Sequence, residues 1–379
     1  MRVAMLAPLL SPSSGGLATA IPPLIKAMQS RSPFDIHTVG SLDPDAPEAW
    51  RDWGNNVHAL NTRAWPSFRW MTDLSSVMSH LKPDAVNIHG LWLYPSLWNS
   101  RRIGRIPYMV TPHGMLDPWA IRHSYWKKRL ALILYESKHL HEAVCLRATS
   151  KMELNYFREF GLKQPIALIP NGAPLVASRK EVNAEGGARH RLLFLSRIHP
   201  KKGLPYLLRA WALLESTFPE WDLVIAGINE KGHEEEMKLL ASGLGLKRVF
   251  WRGPVFGEEK SNLYHSSNLF ILPTHSENFG NVVSEALAHG VPVITTRNAP
   301  WEELKTYGCG WWINLDIHSI VETLTTAMTM SDQDLRMMGE RGRSWVGKAF
   351  NWNHIADAHA AVLNWIARGG SPPNCVHFA

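Results

Sequence analysis

The sequence predicts an α/β protein built as two α/β halves with a cleft between them. Three observations carry that reading. Short apolar runs alternate with amphipathic stretches, the pattern of parallel sheets wrapped by helices. A polar, glycine-containing stretch at residues 177–191 interrupts the alternation, which then starts again. The length, 379 residues, suits two or three domains. With 45% hydrophobic and 19% charged residues, the composition excludes a disordered or fibrous chain.

The elements follow in order. Residues 2–7 read as the first strand. A turn-rich loop at 11–16 leads into a helix at 17–29, whose start Pro22 and Pro23 delay. Strands are expected at 35–39, 84–89 and 108–111, with a Trp-rich segment after the second of these. Residues 125–141 read as one long helix carrying Lys127, Lys128 and Arg129, and 143–148 and 166–169 as short strands. In the second half, strands at 191–196, 222–226, 249–251, 269–272 and 291–295 alternate with helices. These helices are 204–216, with Pro205 in its first turn, 234–243, and about 280–289, stopped by Gly290. The expected domains are 1–176 and 177–351, followed by a segment at 352–379.

Several classes drop out early. Cys145, Cys309 and Cys375 are too few and too scattered for a disulfide framework or a structural zinc site, and a reducing, cytoplasmic compartment is expected. Apolar runs such as residues 130–134 are far shorter than the ~20 residues that span a bilayer. The charged and apolar start is not expected to be a signal peptide, because Pro8 breaks it. The histidines show no metal-ligand spacing, so no metal and no cofactor are expected.

The net charge of +7 is unevenly distributed. Residues 1–170 hold 19 Lys and Arg against 12 Asp and Glu, whereas residues 171–379 hold 21 of each. The first half is therefore expected to meet something anionic. It also holds several of the 17 Trp residues, among them Trp65, Trp70, Trp92, Trp98, Trp119 and Trp126. The Trp126-Lys127-Lys128-Arg129 run heads a helix, and aromatic-plus-basic helices lie at membrane interfaces. An anionic membrane surface is thus a candidate partner, against the alternative of a helix with its aromatics in the core. Nucleic acid is not expected as a partner: no helix-turn-helix, RNA-binding aromatic motif or zinc module is visible.

Four strand-end loops have chemistry in them. The stretch from Leu272 to Gly290 runs from a strand through a polar loop into a helix, the place where open α/β sheets bind ligands. Gly280 admits a ligand close to the backbone, and the helix start favours an anion. Glu277 and Glu285 suit vicinal hydroxyls of a sugar and a ribose; a loop glutamate and a solvated helical glutamate fit the pattern equally well. The second loop places Arg197 and Lys202 where a diphosphate would lie, or forms a plain solvated basic turn. The third, at 11–16, contains Gly15 and Gly16, but a Gly-Gly pair more often marks a simple turn. The fourth contains His113 in Thr-Pro-His-Gly; a lone histidine is more often structural than functional.

Together these motifs make the chain resemble the retaining glycosyltransferases of family 4, the bacterial polysaccharide type, which implies the B-type glycosyltransferase fold of two Rossmann-like domains facing each other across a cleft. The resemblance rests chiefly on Glu277-x7-Glu285. It is supported by Ser-Gly-Gly at Ser14, Thr-Pro-His-Gly at Thr111, Thr-Ser-Lys-Met-Glu at Thr149, Ile-Pro-Asn-Gly at Ile169 and the run from Leu195 to Leu204. It implies a hexosyltransferase that takes a nucleotide diphosphate sugar, a UDP-sugar by preference. The acceptor would be a glycan or lipid-linked saccharide in polysaccharide biosynthesis, and no metal would be required. Glu277 would hold donor-sugar hydroxyls, and Phe279, Gly280, Asn281 and Val282 would cradle sugar and diphosphate. Glu285 would bind the ribose, Arg197 and Lys202 would neutralise the diphosphate, Gly16 would approach it from the first domain, and His113 would lie near the reacting carbon. The last helix, at about 352–367, would cross back to the first domain. The enzyme would be cytoplasmic or peripheral on the inner face of the membrane. A sugar-nucleotide epimerase, a phosphorylase and a nucleic-acid binder are the competing readings; a dehydrogenase is disfavoured by the missing glycine fingerprint.

Overall fold

The structure is a computed structural model. It describes residues 1–31, 33–63, 68–101, 106–176, 189–230 and 232–379. Trp65 and residues 177–188 of the expected connection lie outside them. The chain divides into two compact units, Met1–Gly172 with Trp352–Ala379, and Ala173–Asn351. The break thus falls after Gly172, not after Val176.

The first unit is built on an eight-stranded sheet. Its strands run in the order Val57–Leu60, Asp35–Ser41, Arg2–Ala7, Ala85–His89, Tyr108–Thr111, Cys145–Ala148, Ile166–Leu168 and Val376–His377. All neighbours are parallel except the last pair. The central strand has Val3 to Ala7 all fully buried, which explains a continuous apolar run in place of alternation. Strand order reverses between Arg2–Ala7 and Ala85–His89, so the loops at their carboxyl ends open at a topological switch point.

Two helices close one side of this sheet. Gly16–Arg31 starts at Gly16 and runs through Pro22 and Pro23, contrary to the delayed start expected from the sequence. The prolines remove hydrogen bonds to the carbonyls of Ala18 and Thr19, which lie on a part-exposed to exposed stretch where water replaces the lost donors. Burial of Ile21, Leu24, Ile25 and Met28 outweighs the loss. The Trp352–Arg368 helix belongs to this unit and adds Ile355, Val362, Leu363 and Ile366 to the same core. Arg31 clamps Asp357 with two hydrogen bonds, 2.8 and 2.7 Å. Where this helix begins, the Trp352 ring covers Gly172 so closely that a Cβ there would lie 2.2 Å from it.

The expected long helix at 125–141 is divided. Tyr125–Ala131 passes through a π turn, Leu132–Glu136, into Ser137–His141. A short helix, Pro118–Arg122, precedes it.

The second unit has a six-stranded parallel sheet. Its order is Val249–Gly253, Trp221–Ala226, His190–Leu195, Leu269–Leu272, Val293–Thr296 and Gly310–Ile313. The expected strand at 291–295 starts two positions later, because Val291 closes the preceding helix by donating to the Ala286 carbonyl. The reversal here lies between His190–Leu195 and Leu269–Leu272. Those are the strands that feed the Arg197–Lys202 loop and the Glu277–Gly280 loop.

Glycines test this packing. In the Asp332–Ala349 helix, a Cβ at Gly339 would lie 1.9 Å from the Gly290 carbonyl oxygen, whereas one at Gly347 meets nothing within 4 Å. Both positions are helical, so propensity alone favours alanine by about 0.5–1 kcal/mol at each. Gly347→Ala should raise the urea midpoint accordingly. Gly339→Ala should lower it, by about 1–3 kcal/mol from overpacking.

Candidate active site

Lys202 ends a 3-10 turn, Pro200–Lys202, that follows the loop after His190–Leu195. Gly203 follows with φ +65°, and a Cβ there would overlap the Pro273 carbonyl oxygen at 1.8 Å. Only glycine lets this turn press against the end of the neighbouring strand. The Lys201 carbonyl accepts from His275 N at 2.8 Å and from Thr274 Oγ1 at 3.1 Å, so the two loops are joined. The join delivers Lys202 Nζ to Glu277 Oε1. Both side chains are about nine-tenths buried (10% and 11% exposed). Burial holds the Lys202 ammonium below its ordinary pKa, the Glu277 charge opposes that, and the nearby Arg197 charge adds to it.

Glu277 is also fixed from behind, its N–H donating to the Asn298 carbonyl at 3.0 Å. Phe279 is buried among rings, 5.2 Å from Trp301 and 5.4 Å from Phe350. Trp301 Nε1–H donates to the Phe279 carbonyl. Gly280 then turns the chain with φ +80° into the Asn281–Ala288 helix. The first turn of that helix, with Asn281 and Val282, carries the positive end of its dipole.

Glu285 is not the solvated helical glutamate that the sequence left open. Its Oε2 pairs with Lys260 Nζ at 2.6 Å and accepts from Tyr264 Oη at 2.9 Å. Both contacts fall on one oxygen, and among the described residues no donor is recorded at Oε1. Tyr264 is buried, which with the Glu285 charge raises its hydroxyl pKa well above the ordinary value. Arg197 is half-exposed and paired with Glu230 at 2.7 Å. It is a solvent-screened pair of the kind worth 0–1 kcal/mol, readily exchanged for another anion.

In the first unit, His113 takes the left-handed backbone conformation with φ +55°, unusual for a residue with a side chain. Gly114 follows at φ +76°, and its N–H donates to Glu153 Oε1 at 2.7 Å. Glu153 Oε2 accepts from Thr149 N and Oγ1 at 2.7 and 2.9 Å. The buried carboxylate of the Thr-Ser-Lys-Met-Glu motif therefore shapes the histidine loop. His113 Nε2 and His89 Nδ1 share a hydrogen bond of 2.9 Å. Burial lowers the pKa of both rings, with a smaller contribution from the buried Arg147 charge, that of His89 to about 3. Both rings are neutral at neutral pH. Gly15, with φ +62°, caps the Pro12–Ser14 turn, and Gly16 opens the following helix. Ser13 Oγ ties that turn to Asp43 Oδ2 at 2.8 Å.

The structure thus groups Lys202, Glu277, Phe279, Gly280, Asn281, Val282 and Glu285 at the carboxyl end of the second sheet's central strands, with Arg197 beside them. Gly15, Gly16 and His113 lie at carboxyl-end loops of the first sheet. Sequence reasoning missed Trp301, Tyr264 and Lys260, which touch the expected residues only through the fold. Among the described residues, no group of three His, Cys, Asp or Glu side chains could hold a metal ion.

Two switch-point sheets, one bearing a buried cation–carboxylate pair at a helix start, define the B-type glycosyltransferase architecture. Comparison with known proteins agrees. The family described as "Glycosyl transferases group 1" matches residues 177–345, and the "Glycosyl transferase 4-like domain" matches residues 15–172. The chain belongs to this family-4 type of glycosyltransferases. It is similar to a D-inositol 3-phosphate glycosyltransferase of Arthrobacter, 37% identical over 50% of this chain and 47% of that one. The chain thus spans about half the length of that relative. It is also similar to a GDP-mannose:cellobiosyl-diphosphopolyprenol alpha-mannosyltransferase of Xanthomonas campestris, 22% identical over 93% of this chain and 94% of that one. The sucrose-phosphate synthase of Thermosynechococcus elongatus shares the fold, with a TM-score of 0.79 and 20% identity over 95% of this chain and 97% of that one.

Removing one member of a buried ion pair strands the other. Lys202→Met should destabilise the second unit by about 3–5 kcal/mol, and adding Glu277→Gln should recover most of that. Urea titration of the two single variants and the double variant measures both effects.

Proposed function

We propose that the chain is a retaining, metal-independent glycosyltransferase acting in the cytoplasm in polysaccharide biosynthesis. It moves a hexose-type sugar from a nucleotide diphosphate donor, a UDP-sugar first among the candidates, to a hydroxyl of a glycan or lipid-linked saccharide. The observation that carries this reading is the buried Lys202–Glu277 pair at the switch point of the second sheet, beside the N-terminus of the helix that bears Glu285. The Xanthomonas relative, whose name pairs GDP-mannose with a cellobiosyl-diphosphopolyprenol, supports the acceptor class.

The chemistry follows from charge. Glu277 accepts hydrogen bonds from donor-sugar hydroxyls, which draws it from Lys202 and turns the ammonium towards the diphosphate. Glu285 takes the ribose hydroxyls. As the bond from the anomeric carbon to the diphosphate breaks, negative charge collects on the leaving oxygen. Lys202, Arg197 and the first-turn N–H groups beyond Gly280 are already oriented to meet it. The acceptor oxygen bonds to the anomeric carbon on the face the diphosphate leaves. Its proton passes to the departing phosphate oxygen, so configuration is kept and no sugar becomes bonded to the protein. His113, neutral and locked against His89, offers the donor sugar a fixed hydrogen-bond partner, and Gly15 and Gly16 leave room for phosphate near the first sheet.

A thermal-shift screen of nucleotide sugars should pick out one donor by a raised melting temperature. With that donor and a lipid-linked saccharide, Glu277→Gln should lower kcat by about 10²–10³. Glu285→Gln should mainly raise the donor KM. A chelator should leave the rate unchanged. Wild-type turnover in Glu277→Gln, or isomerisation of the free donor with no acceptor present, would overturn the reading.

A further inference from the structure

The segment from residue 118 to residue 141 has a face that the fold does not use. Trp126, Leu130, Ile133 and Leu134 follow the i, i+4, i+7, i+8 spacing of one helical stripe. They are 74%, 58%, 76% and 63% exposed. Single exposed apolar residues are ordinary, but four large ones side by side mark an interaction surface.

The orientation of this stripe is fixed. On the opposite side Tyr135, Glu136, His139 and Leu140 are buried. Trp92 N–H donates to Glu136 Oε2 at 2.6 Å, and Tyr108 Oη donates to the His139 carbonyl at 2.7 Å. Lys128 Nζ lies over the Trp92 ring and donates to the Ala120 carbonyl. These contacts prevent the helix from rolling to hide its outer face. The π turn at Leu132–Glu136 lets Tyr135 and Glu136 point inward while Ile133 and Leu134 point out.

Charge selects the occupant. Between residues 118 and 141 lie five cations, Arg122, Lys127, Lys128, Arg129 and Lys138, and one acid, Glu136, which is buried. Lys127 and Arg129 flank the stripe, with the Arg129 guanidinium 5.8 Å from the Trp126 ring. The exposed charge is therefore of one sign around an apolar centre. A second copy of the same patch would bring like charges together, and a nucleic-acid backbone would leave the apolar centre unpaired. An anionic lipid surface satisfies both parts: the headgroups meet the cations, and the acyl boundary takes Trp126 and the aliphatic side chains. Among the described residues no helix is long and apolar enough to cross a membrane, so the contact is made by a helix lying in the interface.

We propose that the Trp126–Leu130–Ile133–Leu134 face, ringed by Arg122, Lys127, Arg129 and Lys138, docks the first unit onto an anionic phospholipid membrane. The binding does not depend on the transfer chemistry, so its test is separate from that of the enzyme activity.

The experiment is flotation of the full chain with vesicles of phosphatidylcholine alone and of phosphatidylcholine mixed with phosphatidylglycerol. The wild type should float with the mixed vesicles only, and added salt should release it. Lys127→Glu with Arg129→Glu should weaken partitioning by about thirtyfold or more, each lost cation contributing about a factor of five. Leu130→Gln with Ile133→Gln should abolish it at unchanged charge. All four positions are exposed, and unchanged melting curves check that the variants fold. Wild type that fails to float with anionic vesicles, or either double variant floating like wild type, overturns the proposal. So does a lipid-free dimer that Leu130→Gln with Ile133→Gln converts to monomer, since the face would then belong to a second copy.

Discussion

An ammonium and a carboxylate held together out of water are the constraint on which the second unit's site depends. Moving either charge alone into a protein interior costs several kcal/mol, and only direct contact offsets it. Lys202 and Glu277 come from loops 75 positions apart, so the contact requires both loops to arrive at one place. The sheet order supplies that place, because the two parent strands are neighbours at the reversal. Gly203 supplies the close approach, and the Lys201 carbonyl bonds the loops together. Once formed, the pair is neutral as a unit but divisible: a hydroxyl that engages the carboxylate exposes the full charge of the amine.

The first unit solves a different electrostatic problem. Its histidine loop lies over a buried arginine, Arg147, whose donors are taken by the Ile169 and Pro170 carbonyls and by Asn171 Oδ1. Burial strips both rings of water, and with that charge close by as a lesser contribution, a positive charge on His113 or His89 is strongly disfavoured. The imidazoles therefore act as neutral donors and acceptors across the physiological range.

Much of this was legible in the sequence, for identifiable reasons. Buried parallel strands read as unbroken apolar runs, so Arg2–Ala7 and Leu269–Leu272 were placed from composition alone. The loops bearing Arg197, Lys202, Glu277 and Gly280 stood out because each follows such a run. Two kinds of feature were hidden. Edge strands such as Val57–Leu60 and Val376–His377 are short and part-exposed, with no run to detect. Partners that meet through tertiary packing, such as Trp301 on the Phe279 carbonyl and Lys260 on Glu285, leave no mark in local spacing. The continuation of Gly16–Arg31 through two prolines likewise reflects burial on the sheet overriding a local preference.

The first unit is discontinuous, and that has a consequence for how the protein is made. Residues 173–351 form a contiguous stretch that holds the second unit's core. The amino-terminal stretch lacks Ile355, Val362, Leu363 and Ile366 until residues 352–368 have been synthesised. The unit begun first is therefore completed last, after the whole of the other has been made. A chain cut before residue 352 would carry an amino-side lobe with bare apolar surface, the species that holdase chaperones would recognise.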